Sequence, residues 1–252
     1  MIPLDDRGLL LGDGVFETLL AVNGVVDQLI AHLDRLAAGC AVLGLPEPDR
    51  TAATDAIMHA VNGRSEPRLA VRLTLTAGSG GRGLDRPEPA TPTLFASAAP
   101  SPKVAEPARL MISATRRNAD SASSRIKSLS YLDNILARRE ARAMGADEAV
   151  MLNGRGEVAC ATAANLFWIM DDQLHTPALE CGVLAGIMRA RVLALADDLG
   201  ISVREVHSSL DALAQADGVF LTNSLIGVRQ ASGLGAVAER HPMVARLSRA
   251  LS

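Results

Sequence analysis

Apolar residues recur at helical spacing from Leu29 to Leu43, whereas Arg68 to Thr76 (RLAVRLTLT) alternates apolar and polar like a half-buried strand. Further along, the pattern predicts a helix over Tyr131 to Met144 and a strand around Glu148 to Leu152. A turn at Asn153–Gly154, a strand over Asn165 to Met170 and a helix from about Gly186 to Leu199 follow. Gly218 to Thr222 reads as a buried strand and His241 to Leu251 as a closing helix. Between these groups lies Ala98 to Pro107, AAPSPKVAEP, whose three prolines favour an extended linker and forbid a helix. No internal repeat interrupts the chain. Strands and helices mix without strict alternation, which predicts an α+β fold of two subdomains: a small one over 1–97, the linker 98–107, and a large one over 108–252.

Composition narrows the function classes. With 48% apolar and 21% charged residues, the 252-residue chain is a folded protein rather than a disordered one. Its net charge of −3 supplies no basic field, and one Trp, one Tyr and four Phe offer few stacking platforms, so nucleic acid is not an expected partner. No apolar stretch is long enough for a signal peptide or a membrane span. The three cysteines, Cys40, Cys160 and Cys181, lack metal-ligand spacing, so the sequence predicts a reduced cytoplasmic protein with no metal. Among 25 basic residues only Lys103 and Lys127 are lysines. That skew reads as coding bias, but it isolates the side chains that can lose a proton and attack a carbonyl, which arginine cannot do.

Lys127 lies in Ser123 to Asn134, SSRIKSLSYLDN, among serines and apolar neighbours and just ahead of a predicted helix. A partly buried amine in such company is expected to have a lowered pKa and to form a Schiff base. In Glu180 to Arg191, ECGVLAGIMRAR, Gly182 and Gly186 bracket a helix start, where free N–H groups favour a phosphate or simply mark tight packing. Thr222–Asn223–Ser224 follows a buried strand and suits an anion cradle or a turn cap. Arg35 sits on the Leu29–Leu43 helix, facing solvent or paired with a neighbour such as Asp34. Gly78 to Gly83, GSGGRG, lacks the Lys-Ser/Thr of a phosphate-binding P-loop.

Taken in order, these segments resemble the class IV pyridoxal-phosphate enzymes of fold type IV. That family contains branched-chain and D-amino-acid aminotransferases and 4-amino-4-deoxychorismate lyase. The likeness runs from Gly12-Asp13-Gly14-Val15-Phe16-Glu17-Thr18 to Gly227. GSGGRG, Ala163-Ala164-Asn165-Leu166-Phe167-Trp168 and Thr222-Asn223-Ser224-Leu225-Ile226-Gly227-Val228 look most like the lyase branch. The resemblance implies that Lys127 holds pyridoxal 5′-phosphate as a Schiff base and later moves protons. It implies that Arg35 pairs with the cofactor phosphate, and that Gly186, Ile187, Thr222 and Asn223 complete the phosphate cup. It further implies a small amino substrate, a homodimer, and either pyruvate release to form 4-aminobenzoate on the way to folate or transamination. A homologue that kept the fold and lost catalysis is the competing class.

Two departures qualify the likeness. Family members carry a glutamate five residues ahead of the Asn-Leu-Phe strand, paired with the pyridine nitrogen; here that position is Cys160. Glu157, three residues earlier, would point to the other face of a strand and sit about 10 Å away. A thiol will not hold the nitrogen protonated, which disfavours a long-lived carbanion and favours prompt elimination. The family also places a strand pair ahead of Asp-Arg-Gly, which here occupies positions 6–8: either the start codon is assigned late, or the small domain lacks its first strands and its sheet then has an unpaired edge. For substrate carboxylates the candidate cations are Arg82, Arg125 and Arg229.

Overall fold

The computed structural model describes residues 2–81, 83–103, 107–235 and 241–251. The chain divides into two compact units: Met1–Pro102 together with Ile126–Ser130, and Lys103–Arg125 together with Tyr131–Ser252.

The first unit begins with α1 (Arg7–Leu11) and β1 (Gly14–Val22), followed by β2 (Val25–Val26), α2 (Leu29–Leu43) and α3 (Arg50–Val61). It continues through β3 (Arg68–Thr76) and β4 (Thr93–Pro100). The sheet order is β2-β1-β3-β4, with β1 and β3 antiparallel from Gly14↔Thr76 to Val22↔Arg68. Helix α2 takes the boundaries its periodicity predicts, because its apolar face (Leu33, Leu36, Cys40) packs with Val15, Leu19, Ile57, Val71 and Leu73. It stops at Gly44, whose φ of 65° lets its N–H turn back onto the Ala41 carbonyl. The two edges of the sheet are β2 and β4.

The second unit holds β5 (Ala108–Ile112), α4 (Ala122–Arg125), α5 (Leu132–Ala143), β6 (Glu148–Leu152), β7 (Val158–Ala161) and β8 (Asn165–Met170). Then come β9 (Gln173–Pro177), a 3-10 turn (Leu179–Cys181), α6 (Ile187–Asp198), β10 (Val203–Val206) and α7 (Asp211–Ala214). The unit closes with β11 (Gly218–Asn223), β12 (Gly227–Ser232) and α8 (Pro242–Ala250). Eight strands form one sheet in the order β10-β9-β8-β11-β12-β5-β6-β7. Its centre, β8 and β11, is buried along nearly its whole length, which is why both read as continuous apolar runs.

The α+β class with mixed strand directions agrees with the sequence expectation. The segment expected as a linker differs at its start. Ala98 to Pro100 complete β4 and pair with β3 as far as Leu69↔Pro100. Proline is tolerated there because β4 is an edge strand. Val104 to Glu106 of that segment lie outside the described residues. The other difference concerns Lys127, expected within 108–252, whose five-residue segment groups with the first unit. Phe16 N donates to the Lys127 carbonyl (2.9 Å) and Leu129 N to the Gly14 carbonyl (3.0 Å), so the segment runs alongside β1.

Candidate functional site

In the first unit, the backbone bonds of residues 126–130 to β1 fix where Lys127 emerges. The lysine is half-buried. Its Nζ lies 4.3 Å from the centroid of the Phe16 ring, and the Arg72 Cζ lies 3.7 Å from that same centroid. Both basic side chains therefore lie against one aromatic ring. Successive strand residues face opposite ways, so Glu17 points away from this arrangement. Its carboxylate is 1% exposed and receives Arg35 Nε at 2.8 Å and Nη2 at 2.6 Å, with His32 Nδ1 2.6 Å from Oε2. Burial pushes the Glu17 carboxyl up, but the hydrogen bonds from Arg35 and His32 prevail and hold it below its usual value. Arg35, expected at the phosphate, is thus a guanidinium whose direction is set by a buried carboxylate.

In the second unit, pairing of β8 with β11 sets Asn165 opposite Thr222. Asn165 Nδ2 donates to the Leu184 carbonyl at 2.9 Å, which carries the chain toward Gly186. Gly186 caps α6 in extended backbone with no side-chain cap, and a Cβ there would stand 1.9 Å from Asn165 Oδ1. Ile187 is the first residue of that helix, so the backbone donors of the α6 N-terminus open at this point. Thr222 is fully buried, yet its Oγ1 has no hydrogen-bond partner. A buried hydroxyl left unpaired costs about 1–3 kcal/mol, which an anionic ligand oxygen would relieve. Asn223 is occupied differently: Nδ2 donates to the Ala163 carbonyl, and Oδ1 accepts from Leu225 N and Ile226 N, each at 2.9 Å. Thr222 and Gly186 therefore fit a phosphate, while the Asn223 side chain closes the turn.

Cys160 lies opposite Met151 in the β6–β7 pair, packed with Ala137, Ala141 and Ala159. Burial pushes its thiol pKa up, with Arg117 opposing and Glu148 adding to the shift, so the group is a neutral thiol. A weak donor of this kind does not fit a protonated pyridine nitrogen. Glu157 is no substitute. Its carboxylate is held by Asn153 Nδ2 (2.6 Å), Arg155 Nε (3.0 Å) and His207 Nδ1 (3.2 Å), and chiefly the Asn153 bond lowers its pKa to about 2.

Sequence reasoning missed a buried polar network in this unit. Arg117 donates to the carbonyls of Gly182 (3.1 Å) and Ser124 (2.5 Å) and to Asn134 Oδ1 (3.1 Å). Asn134 Nδ2 continues to the Thr162 carbonyl, and Glu148 accepts from Thr162 and Arg138. The available signal was an asparagine on the inner face of α5 in step with Ala137 and Ala141, and a glutamate opening the apolar run of β6. A groove of about 860 Å³ opens beside this network, lined by Thr115, Tyr131, Asn134, Arg138, Arg139 and Thr162 among others. Of the expected substrate cations, Arg125 is exposed at the end of α4 and Arg229 lies 3.9 Å from Asp147. Arg82 lies outside the described residues.

Comparison with known proteins places these features in context. The profile of amino-transferase class IV matches residues 14–234. An aminodeoxychorismate lyase of Vibrio harveyi is 31% identical over 240 residues, covering 93% of this chain and 88% of that protein. The crystal structure of 4-amino-4-deoxychorismate lyase from Pseudomonas aeruginosa superposes with a TM-score of 0.88 at 31% identity, over 100% of this chain and 94% of that one. A branched-chain aminotransferase from Thermoproteus uzoniensis, crystallised with norvaline, gives 0.92 at 27% identity, over 100% and 88%. Among the described residues no helix is long and apolar enough to cross a membrane.

Proposed function

The chain belongs to the class IV aminotransferase family and is an enzyme of fold type IV, and from that premise we propose that it is a pyridoxal-phosphate-dependent 4-amino-4-deoxychorismate lyase. Lys127 would bind the cofactor covalently. The resemblance assigns its phosphate to Arg35, Gly186, Ile187 and Thr222, and the orphaned Thr222 Oγ1 is the observation that supports the last of these. When bound, the cofactor withdraws electrons from the amine-bearing carbon of the substrate. Lys127 Nζ removes the proton from that carbon and delivers one to the departing ether oxygen. The carbon–oxygen bond breaks, pyruvate leaves, and the ring becomes aromatic 4-aminobenzoate.

Cys160 carries the choice of reaction. If Cys160 stands at the pyridine end as the resemblance implies, its buried neutral thiol would leave the electron sink weak, so charge should leave with a departing group rather than persist through a second proton transfer. Elimination tolerates this better than transamination does. The aminotransferases among the relatives support the second reading, in which Lys127 carries the same proton onward and a keto acid results.

The test uses cofactor-loaded protein and aminodeoxychorismate with no keto acid present. Pyruvate and 4-aminobenzoate should appear in equal amounts, and Lys127→Ala should abolish both. Borohydride reduction should trap a phosphopyridoxyl group on Lys127. Turnover that requires a keto-acid acceptor overturns the lyase in favour of the aminotransferase, and a colourless, unlabelled protein overturns cofactor use at Lys127.

A further inference from the structure

Apart from the phosphate and lysine residues, three side chains of the second unit converge from distant stretches. Glu157 precedes β7, Cys181 ends the 3-10 turn, and His207 follows β10. Cys181 Sγ lies 3.5 Å from His207 Nδ1 and 3.7 Å from Glu157 Oε2, and His207 Nδ1 lies 3.2 Å from Glu157 Oε1. One ligand atom from each residue falls within 4.8 Å of the others. A tetrahedral zinc ion with ordinary Zn–S, Zn–N and Zn–O bonds keeps its donors about 3.4–3.6 Å apart. The sulfur–nitrogen separation and the two separations to opposite oxygens of the carboxylate, 3.2–3.7 Å, stand near that spacing.

The donor chemistry narrows the ion. One sulfur, one imidazole nitrogen and one carboxylate oxygen form a borderline-soft set, suited to Zn²⁺ and poorly suited to Mg²⁺ or Ca²⁺, which take oxygen. Outer contacts orient the carboxylate as metal sites require: Asn153 Nδ2 and Arg155 Nε both bond Oε2, at 2.6 and 3.0 Å. The cluster opens to solvent at His207, whose side chain is 48% exposed, while Cys181 is fully buried. A plain hydrogen-bonded triad, with thiol and imidazole donating to the carboxylate, is the competing reading of the same atoms.

We propose that Glu157, Cys181 and His207 form a zinc site with three protein ligands and a fourth position open to water. On binding, the Cys181 thiol gives its proton to solvent and the sulfur–zinc bond takes its place, with no change of oxidation state. The ion would tie the turn ahead of β7 to the segments after β9 and β10, three residues from Cys160.

Metal-free, cofactor-loaded protein is dialysed against Zn²⁺, and bound metal is read by elemental analysis and X-ray absorption. One zinc per chain with one sulfur and otherwise nitrogen or oxygen neighbours is expected. Cys181→Ser should remove the sulfur neighbour. His207→Ala, at an exposed position that leaves folding intact, should weaken zinc affinity by about ten-fold or more. Zinc should raise the melting temperature of the wild type and not that of His207→Ala. Wild-type protein that retains no zinc, or a sulfur neighbour that survives Cys181→Ser, overturns the site in favour of the hydrogen-bonded triad.

Discussion

At Gly186 a single hydrogen atom in place of a methyl group decides whether α6 can start beside Asn165. A Cβ there would meet Asn165 Oδ1 at 1.9 Å, so Gly186→Ala must displace that amide and break its bond to the Leu184 carbonyl. A loss of about 1–3 kcal/mol in urea denaturation is expected, together with weaker cofactor retention. Gly154→Ala, which meets nothing within 4 Å, should change neither. Individual residues were legible in the sequence to the extent that their chemistry has no substitute. Lys127 stands out because arginine cannot lose its proton, and Cys160 because a thiol stands where the family has a carboxylate. The orphaned hydroxyl of Thr222 was not legible, since a threonine after a strand looks the same whether its Oγ1 is satisfied or not.

Among the elements, strands β8 and β11 do the central packing of the second unit. Phe167 and Phe220 face each other across their pairing, with ring centroids 5.0 Å apart and planes within 3°. Both are fully buried, so Phe220→Ala should cost about 3–5 kcal/mol, read from the midpoint of chemical denaturation. A change below about 1 kcal/mol would mean the neighbouring side chains collapse into the space. These strands were readable because burial on both faces writes an apolar run, and α2 because one buried face writes a helical period. Strand β1 has no such clarity. Glu17 interrupts it, and its partners Arg35 and His32 come from a helix that no local pattern connects to it. Strand β7 is four residues long, too short for any period to register.

For the whole molecule, acid should be the more damaging direction of pH. Arg86, against the opposing effect of burial and with help from Arg7, holds Asp13 below its usual 3.8. Glu17 is held below its usual 4.5, and Glu157 falls from 4.5 to about 2. Each group binds its proton more weakly when folded than when unfolded, so its contribution is complete above the unfolded value. That contribution is lost as the pH falls through 4.5 and 3.8 toward about 2. Urea midpoints followed by circular dichroism should be level above that window and drop within it; a level profile throughout would show that these carboxylates add nothing. At this scale the α+β class could be read from the mixed periods, and the family from the order of its motifs. The convergence of residues 157, 181 and 207 could not, because proximity across fifty residues leaves no mark on spacing.

The placement of residues 126–130 bears on how such a protein can be inherited in pieces. The chain leaves the first unit after Pro102, returns for five residues, and departs again after Ser130. A recombination event at Pro102 would therefore bring in a new β1 while keeping the old segment that runs alongside it. Lys127 is encoded with one stretch and fitted to another, so exchange between relatives must carry both together or disturb the backbone bonds that place it.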